Sequence, residues 1–330
     1  MMGKKGFPLF SVVMPAFNAA NTIRRAVGSL KDQTCSDWEL VVCDDGSTDD
    51  TLNLLRILES EDSRIRIISR QSNSGSAFKP RKCAVEASSG QWIVELDADD
   101  TLSPDYLESA RRIIESSDVD LVISRMETMD GDCVTCSLPS SEVPLEPTSG
   151  RKLVKYTIDS WAIPLLLIGR RDVVLSAYEE GEEGSSVFAD ELFSRRVLVH
   201  SQSVAFSRGI YAYRFNPDSV TNSVGVARFS FLQSDRSLLE WIRSEFGTAS
   251  EEYRLGCRRL FGGVCGAFLL LRKVSSRTVR QECRDMIADA WRHPLFREAR
   301  HQTHGILRSI SFLGPIALQA ALYVKDCKKG

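Results

Sequence analysis

Net charge and long apolar segments are the first features that this sequence lacks. Its 330 residues carry 42 Lys and Arg against 44 Asp and Glu, a formal net charge of −2. A chain without a basic excess lacks the electrostatic footprint of a nucleic-acid-binding protein, so we predict no nucleic-acid partner. The first residues, MMGKKGF, run directly into a strand-like segment without the apolar core of a signal peptide. These absences predict a cytoplasmic location.

The nine cysteines do not form a disulfide or metal-binding pattern. Their number is odd, and they are scattered among strand-like and helix-like segments, which suits a reducing compartment. Cys133 and Cys136 form a single C-x-x-C, with no second pair and no histidines nearby, which is a weak signal for zinc or redox chemistry. We interpret both as loop thiols.

The glycine-rich fingerprints of common nucleotide-binding proteins are also missing. Strand-like and helix-like segments alternate over about the first 125 residues, which predicts a parallel sheet covered by helices on both faces. The turn after the first strand, Leu9–Met14, reads P-A-F-N instead of G-x-G-x-x-G, and no P-loop is present. This argues against a dinucleotide-dependent dehydrogenase. It also disfavours nucleotidyl transfer, whose site would show a glycine-rich basic loop after the first strand.

Carboxylates stand at the strand ends instead. The apolar run in Gln91–Pro104, QWIVELDADDTLSP, predicts a buried strand that ends in Asp97, Asp99 and Asp100. Open α/β sheets bind ligands at the carboxyl ends of their strands, and three carboxylates within four residues need a compensating cation. A hard divalent ion accepts oxygen ligands from carboxylates and from substrate phosphates. We therefore predict a divalent metal site here, with Ser103 as the cap of the helix that follows.

In order, the motifs P-A-F-N, D-D-G-S-T-D, N-S-G, D-A-D-D and A-D-E, within residues 8–222, resemble those of glycosyltransferase family 2. The family consists of inverting nucleotide-diphospho-sugar transferases. The resemblance implies the α/β class and the GT-A fold, a Rossmann-like, mostly parallel central sheet flanked by helices. It divides the chain into a nucleotide-sugar-binding half (1–125) and an acceptor-side half (126–225). Apolar residues at helical spacing add a C-terminal helical region (226–330).

The resemblance also assigns the nucleotide site. The turn after the first strand matches the segment that lines the nucleobase pocket, and its members are Pro15, Ala16, Phe17 and Asn18. Asp45 matches the residue that hydrogen-bonds the base, and Asp44 precedes it in the same turn. Arg81 matches an arginine that lies near the base and the diphosphate. The D-x-D segment that holds ribose and metal matches Asp97, Ala98 and Asp99, and Asp100 is a further candidate metal ligand.

Asp190 matches the catalytic base of the family, at the start of a helix. Inverting transfer requires a base that takes the proton of the acceptor hydroxyl, and positive charge on the departing diphosphate. The resemblance thus implies Asp190 as general base, Mn²⁺ or Mg²⁺ as cofactor, and a nucleotide-diphospho-sugar, with a UDP-sugar favoured, as donor. The expected acceptor is a glycan or lipid-linked saccharide in cell-surface polysaccharide synthesis. The alternative is a non-catalytic sugar-nucleotide or glycan-binding module on the same fold, against which the retained Asp190 argues.

The C-terminal end of the chain is basic and apolar. Sixteen uncharged, largely apolar residues lie between Arg308 and Lys325, which is short for a bilayer-spanning helix. An apolar segment with basic flanks suits contact with the inner face of the plasma membrane through residues 306–329. Packing on the catalytic domain or in a homodimer is the other interpretation, and the sequence leaves both open.

Overall fold

The computed structural model describes residues 6–160, 162–164, 166–179, 189–214 and 225–307. These residues divide into two compact units, the first up to residue 214 and the second from residue 225 onward. The first unit contains the sheet, and the second unit is helical.

A single sheet of nine strands forms the centre of the first unit as described. Its strands are β1 (Phe10–Ala16), β2 (Trp38–Asp44), β3 (Ile65–Ser69), β4 (Trp92–Glu95), β5 (Thr101–Leu102), β6 (Leu121–Asp130), β7 (Cys133–Leu138), β8 (Ile168–Arg170) and β9 (Val204–Arg214). Their order is β3-β2-β1-β4-β8-β6-β9-β5, and β7 pairs with β6 outside this path. Strands β1 to β4 are mutually parallel, as predicted, and β6 is parallel to β9. The other pairings, which involve β5, β7 and β8, are antiparallel, so the second half of the sheet is mixed.

Helices flank this sheet. In the first unit they are α1 (Ile23–Lys31), α2 (Thr51–Glu61), α3 (Phe78–Ala87), α4 (Tyr106–Ser116), α5 (Gly150–Leu153) with a 3₁₀ turn (Val154–Thr157), α6 (Arg171–Glu179) and α7 (Ala189–His200). The predicted α/β class is therefore confirmed. Strands β1 and β4 are buried along their whole length, which explains why both sequences are almost continuously apolar.

Two local expectations were wrong. Ser103 does not cap a helix: Thr101–Leu102 form the short strand β5, and α4 begins only at Tyr106, after Asp105. The Ser103 hydroxyl instead donates to Asp105 Oδ1 at 2.7 Å and accepts from the Ile210 N–H at 2.9 Å. The loop thiols Cys133 and Cys136 belong to strand β7, where both are exposed.

The second unit contains α8 (Val226–Phe229), α9 (Phe231–Phe246), α10 (Glu251–Leu271), α11 (Arg277–Arg292) and α12 (Pro294–Leu307). A buried ion pair joins two of them, with Arg259 Nε 2.6 Å from Asp235 Oδ1. None of the helices in the described ranges combines the length and the apolar character needed to cross a bilayer. Residues 308–330 lie outside the described residues, so the membrane-surface prediction for 306–329 stays a prediction.

Arg195 fastens helix α7 to the 3₁₀ turn. Its side chain is fully buried, and its Nε donates to Thr157 Oγ1 at 3.0 Å while its Nη2 donates to the Thr157 carbonyl oxygen. Its Nη1 lies 2.8 Å from the Glu191 carbonyl oxygen and 3.3 Å from Glu191 Oε2. The first turn of α7, which carries Asp190, is therefore held by a charged group that water does not reach.

We expect Arg195→Met to lower the free energy of unfolding of the first unit by roughly 2–4 kcal/mol, because it leaves buried acceptors unpaired. Arg112→Met is the matched control, since Arg112 also pairs with a glutamate four residues earlier, Glu108, but is 76% exposed. The control should change the stability by less than about 0.5 kcal/mol. Urea unfolding of both variants measures the difference, and equal effects would contradict the buried role of Arg195.

Candidate active site

The turns that follow β1 and β2 are joined side by side at the carboxyl edge of the sheet. In the strand register Ala16 lies opposite Asp44. Asn18, in a left-handed conformation at φ 50°, donates its N–H to Ser47 Oγ at 3.0 Å, and its Oδ1 accepts from the Thr48 N–H at 2.8 Å. Phe17, between these contacts, is 45% exposed. The predicted nucleobase segment therefore exposes an aromatic ring at an edge where hydrogen bonds join the two turns.

Asp44 and Asp45 are both buried below this edge. Asp45 Oδ2 accepts from the N–H and the hydroxyl of Ser74, at 2.8 and 2.7 Å, and Arg70 Nε lies 2.7 Å from Asp45 Oδ1. Asp44 Oδ1 and Asp45 Oδ1 are both buried without a hydrogen bond among the described residues, and Arg70 provides a positive charge beside Asp45 Oδ1. The predicted base-binding residue Asp45 is thus engaged by its own chain, and its contact with a nucleobase stays a prediction.

Gly46 allows the loop that contains Ser74 to approach. Its φ of +74° lies in the left-handed region, and a Cβ placed on it would lie 2.8 Å from the carbonyl carbon of Ser72. Only glycine combines this conformation with this close contact. The glycine of D-D-G-S therefore serves the packing of the 71–76 loop on the turn.

The three carboxylates after β4 do not converge. Asp100 is buried, where its Oδ2 accepts from the Tyr211 hydroxyl at 2.7 Å and its Oδ1 from the Arg214 N–H at 2.8 Å. Burial, with Asp97 and Asp99 nearby, raises the pKa of Asp100. Within the described residues no three acidic, histidine or cysteine side chains are placed to hold a metal ion. The three-carboxylate ligand set expected from the sequence is therefore not formed, because Asp100 is committed to β9.

Asp97 and Asp99 remain as candidates for a metal. The Asp97 side chain is 30% exposed, and Asp99 is half-buried, with its carbonyl oxygen accepting from Arg25 Nη2 at 2.8 Å. Carboxylate oxygens suit Mg²⁺ or Mn²⁺, and two of them fit an ion that takes its other ligands from water and from a substrate diphosphate. The residues therefore fit such an ion, although they do not form an all-protein cage.

Arg81 lies among the acidic side chains of this site. It is buried on α3, with Nη2 2.7 Å from Asp97 Oδ1, Nη1 3.5 Å from Asp190 Oδ2 and Nε 3.8 Å from Glu95 Oε1. Burial opposes its charged form, yet the three carboxylates hold the pKa of Arg81 above its ordinary value. Pro80 does not disturb α3, because it lies in the first turn, where its missing N–H would have no helical partner. The structure thus places two sequence-predicted residues, Asp97 and Asp190, beside the guanidinium of a third, Arg81.

Asp190 is in the first turn of α7, where the helix dipole favours a carboxylate. Its side chain is 38% exposed. Desolvation raises the pKa of Asp190, Arg81 opposes this, and Glu191 and Asp97 add to it. A carboxylate with a raised pKa and a solvent-facing side is a competent proton acceptor near neutral pH.

Glu95 is a site residue that the sequence analysis missed. It is buried on β4, and desolvation raises its pKa to about 7 although Arg81 lowers it. The available signal was a lone glutamate in an otherwise apolar strand, next to the D-x-D segment. With Glu95, Asp97 and Asp190 around one arginine, the site has more acidic groups than the arginine can neutralise.

The chain resembles known proteins in sequence and in fold. The model of the family described as "Glycosyl transferase family 2" matches residues 11–175, half of the chain. The matched range contains Asp44, Asp45, Arg81 and Asp97, and it ends before Asp190.

Two curated relatives illustrate the sequence likeness. Chondroitin synthase of Pasteurella multocida (strain Pm70) is 42% identical over 101 residues, which is 31% of this chain and 10% of that protein. The Escherichia coli protein "UDP-Glc:alpha-D-GlcNAc-diphosphoundecaprenol beta-1,3-glucosyltransferase WfgD" is 32% identical over 126 residues, 38% of this chain and 49% of that protein. The chain therefore spans between a tenth and about half of these relatives.

A solved structure illustrates the fold likeness. The S. aureus TarS 1-349 crystal structure in complex with UDP-GlcNAc matches with a TM-score of 0.56 and 18% identity, over 88% of this chain and 91% of that chain. At 18% identity the match supports the fold alone. It confirms the predicted GT-A-like fold, with a mixed sheet and flanking helices.

The raised pKa of Glu95 predicts a pH-dependent stability. The folded chain binds a proton at Glu95 below about pH 7, whereas an unperturbed glutamate binds it only near 4.5. The stability that Glu95 contributes to the folded chain is therefore fully present below pH 4.5 and is lost as the pH rises to 7. Glu95→Gln, which does not titrate, should gain stability relative to the parent by on the order of 3 kcal/mol between pH 4.5 and 7.5.

Glu39→Gln is the control of opposite sign. Burial opposes ionisation of Glu39, but hydrogen bonds from Ser11 and Ser89 outweigh it and lower its pKa. The stability that Glu39 contributes is present above pH 4.5 and is lost as the pH falls below it, so this variant should lose stability relative to the parent as the pH rises to about 4.5 and change little above it. Urea unfolding at pH 3.0, 4.5, 6.0 and 7.5 compares the two variants, and a pH-independent difference for Glu95→Gln would refute the raised pKa of Glu95.

Proposed function

Because this chain belongs to glycosyl transferase family 2, we propose that it transfers a sugar from a nucleotide-diphosphate donor to a glycan or lipid-linked saccharide, with inversion at the transferred carbon. The observation that carries this proposal is the position of Arg81, whose guanidinium lies 2.7 Å from Asp97 and 3.5 Å from Asp190. One buried cation thus joins the D-x-D segment to the candidate base. In an inverting displacement the acceptor oxygen attacks the anomeric carbon from the side opposite the departing diphosphate, so the base and the diphosphate-binding groups must lie on either side of the transferred sugar.

The donor is proposed to be a UDP-sugar carrying a hexosyl or N-acetylhexosaminyl group. The names of WfgD, with UDP-Glc, and of the TarS complex, with UDP-GlcNAc, support this choice. The base would lie against Phe17 and Asn18, with Asp45 as its proposed hydrogen-bonding partner and Asp44 beside it, both buried below this edge. Ala16 and Pro15 are buried in β1 and shape this edge from below.

The diphosphate is proposed to lie beside the D-x-D segment. Asp97 and Asp99 would hold Mn²⁺ or Mg²⁺, which when bound supplies positive charge to the departing nucleotide. Arg81 is the second positive group there, and its burial makes its charge more effective than in water. Ala98, between the two aspartates, is buried and keeps their backbone in place.

Asp190 is proposed to take the proton from the acceptor hydroxyl as the new glycosidic bond forms. Its solvent-facing side leaves room for an acceptor, and its raised pKa brings it nearer to the working pH. Arg81 orients its carboxylate from the opposite side. After transfer, Asp190 would release the proton that it has taken to solvent.

A non-catalytic binding module is the second candidate, because the family match ends at residue 175 and leaves Asp190 outside it. We also propose cell-surface polysaccharide synthesis as the setting, which the chondroitin synthase likeness supports. Contact with the inner membrane surface through residues 306–329, and a homodimer, remain predictions from the sequence.

Nucleotide binding tests the donor site. UDP with Mn²⁺ should raise the melting temperature by about 5–10 °C at a hundredfold excess over its dissociation constant, since ligand bound to the folded state stabilises it. GDP and dTDP should give smaller shifts. In Asp99→Asn the part of the shift that requires Mn²⁺ should disappear, and an unchanged metal effect in that variant would contradict the proposed ligand.

Asp190→Asn separates binding from catalysis. We expect it to retain the UDP-induced stabilisation while the transfer rate falls about 10²- to 10⁴-fold, because the amide cannot take a proton. The matched control is Asp172→Asn, an acid in the first turn of the neighbouring helix α6, which should transfer at nearly the parental rate. Donor binding without turnover in the parent protein would favour the binding module. Loss of binding together with activity in Asp190→Asn would make this residue structural.

A further inference from the structure

Three aromatic rings join the helices that carry the reacting side chains. Phe78 on α3, Tyr178 on α6 and Phe193 on α7 form what we call the aromatic cluster. Tyr178 stacks on Phe193 with ring centroids 4.0 Å apart and an interplanar angle of 27°. Phe78 meets Tyr178 at 5.3 Å and Phe193 at 5.9 Å. All three rings are buried.

Helical spacing places two of these rings directly beside the site. Phe78 precedes Arg81 by three residues on α3, and Phe193 follows Asp190 by three residues on α7. Residues three apart lie on the same face of a helix. The ring of Tyr178 contacts both phenylalanines. It therefore lies about one helical turn from the Arg81–Asp190 contact.

The Tyr178 hydroxyl is buried and has no hydrogen-bond partner among the described residues. Burial raises the pKa of this phenol, the charges of Glu95 and Asp190 add to the increase and Arg81 opposes it, so the hydroxyl lies within electrostatic reach of the site. Lys82 Nζ lies 6.0 Å from the ring centroid, at the limit of a cation–π contact. The ring provides the aromatic packing contacts with α3 and α7.

We propose that Tyr178 is a positioning residue, whose ring holds the first turn of α7 against α3 and so sets the distance between Asp190 and Arg81. The inference rests on the proposed function, in which Asp190 is the base. It assigns to α6, a helix with no residue in the reaction, the control of where the base lies. The 3.5 Å separation of Arg81 Nη1 from Asp190 Oδ2 is the quantity that the aromatic cluster maintains.

The consequence for the rate follows from geometry. A displacement of about 1 Å in a reacting group costs on the order of 10²-fold in rate, even when binding is unaffected. The donor pocket on β1, β2 and the D-x-D segment does not include α6. Loss of the ring should therefore lower kcat and leave the binding of UDP and the KM for the donor nearly unchanged.

The test compares Tyr178→Leu with Tyr178→Phe. Leucine removes the stack, and we expect kcat to fall about 10- to 100-fold, with the donor KM and the UDP-induced thermal shift within about twofold of the parent values. Phenylalanine keeps the ring and removes only the unpaired hydroxyl, so it should restore most of kcat at equal or higher thermal stability.

Trp38→Leu is the control for general destabilisation. Trp38 is a buried aromatic residue at the beginning of β2, at the opposite end of the strand from Asp44. It should lower the melting temperature while leaving kcat within about twofold. An equal loss of kcat in both leucine variants, or a kcat for Tyr178→Leu like that of the parent, would overturn the proposal.

Different results would refute the proposed function and the positioning role of Tyr178. If the parent protein binds UDP and shows no transfer, the proposed function is wrong. If Asp190→Asn transfers sugar as fast as the parent, Asp190 is not the base, and the positioning role fails with that assignment. If the parent transfers sugar in an Asp190-dependent way and Tyr178→Leu alters KM instead of kcat, only the positioning role is wrong. A fall in kcat for Tyr178→Phe as large as for Tyr178→Leu would assign the effect to the hydroxyl and also overturn the role of the ring.

Discussion

The active-site geometry depends on a buried positive charge. Arg81 is enclosed in the first unit, where an isolated guanidinium would be costly, and three carboxylates from β4, from the D-x-D segment and from α7 compensate it. Glu95 is buried as well, so it and the arginine stabilise one another. These contacts bring Arg81 and Asp97, from the first half of the chain, together with Asp190 from the second half.

The sequence allowed the strand–helix alternation and the parallel β1–β4 arrangement to be predicted, because buried parallel strands read as continuous apolar runs. It also allowed Arg81, Asp97 and Asp190 to be selected from motifs. It did not allow their mutual contacts to be predicted, since residues so far apart in the chain have no local signal of proximity. The misplaced start of α4 has a similar cause: Thr101–Leu102 pair with β9, a partner more than a hundred residues away.

Acidic motifs illustrate a further limit. Asp97 and Asp100 look equivalent in D-A-D-D, yet one faces Arg81 and is partly exposed, and the other is buried against Tyr211 and Arg214. Glu95 was missed because it belongs to no acidic motif. A single acid in an apolar run resembles an exception to the pattern that predicts a buried strand. Burial, which raises the pKa of Asp100 and of Glu95, depends on tertiary packing and is not a property of the motif.

The contacts of Tyr211 have a consequence for the exchange of segments between relatives. The Tyr211 oxygen accepts from the Asp97 N–H at 3.1 Å and donates to Asp100 Oδ2 at 2.7 Å, so strand β9 shapes the D-x-D segment that it follows by more than a hundred residues. A chimera that joins the first half of this chain to the second half of another must therefore inherit a group at this position that both accepts and donates. Without it, the main-chain amide of Asp97 and one buried oxygen of Asp100 are left unpaired in the D-x-D segment. The two halves are consequently not interchangeable modules, and recombination between family members is constrained by this single phenol.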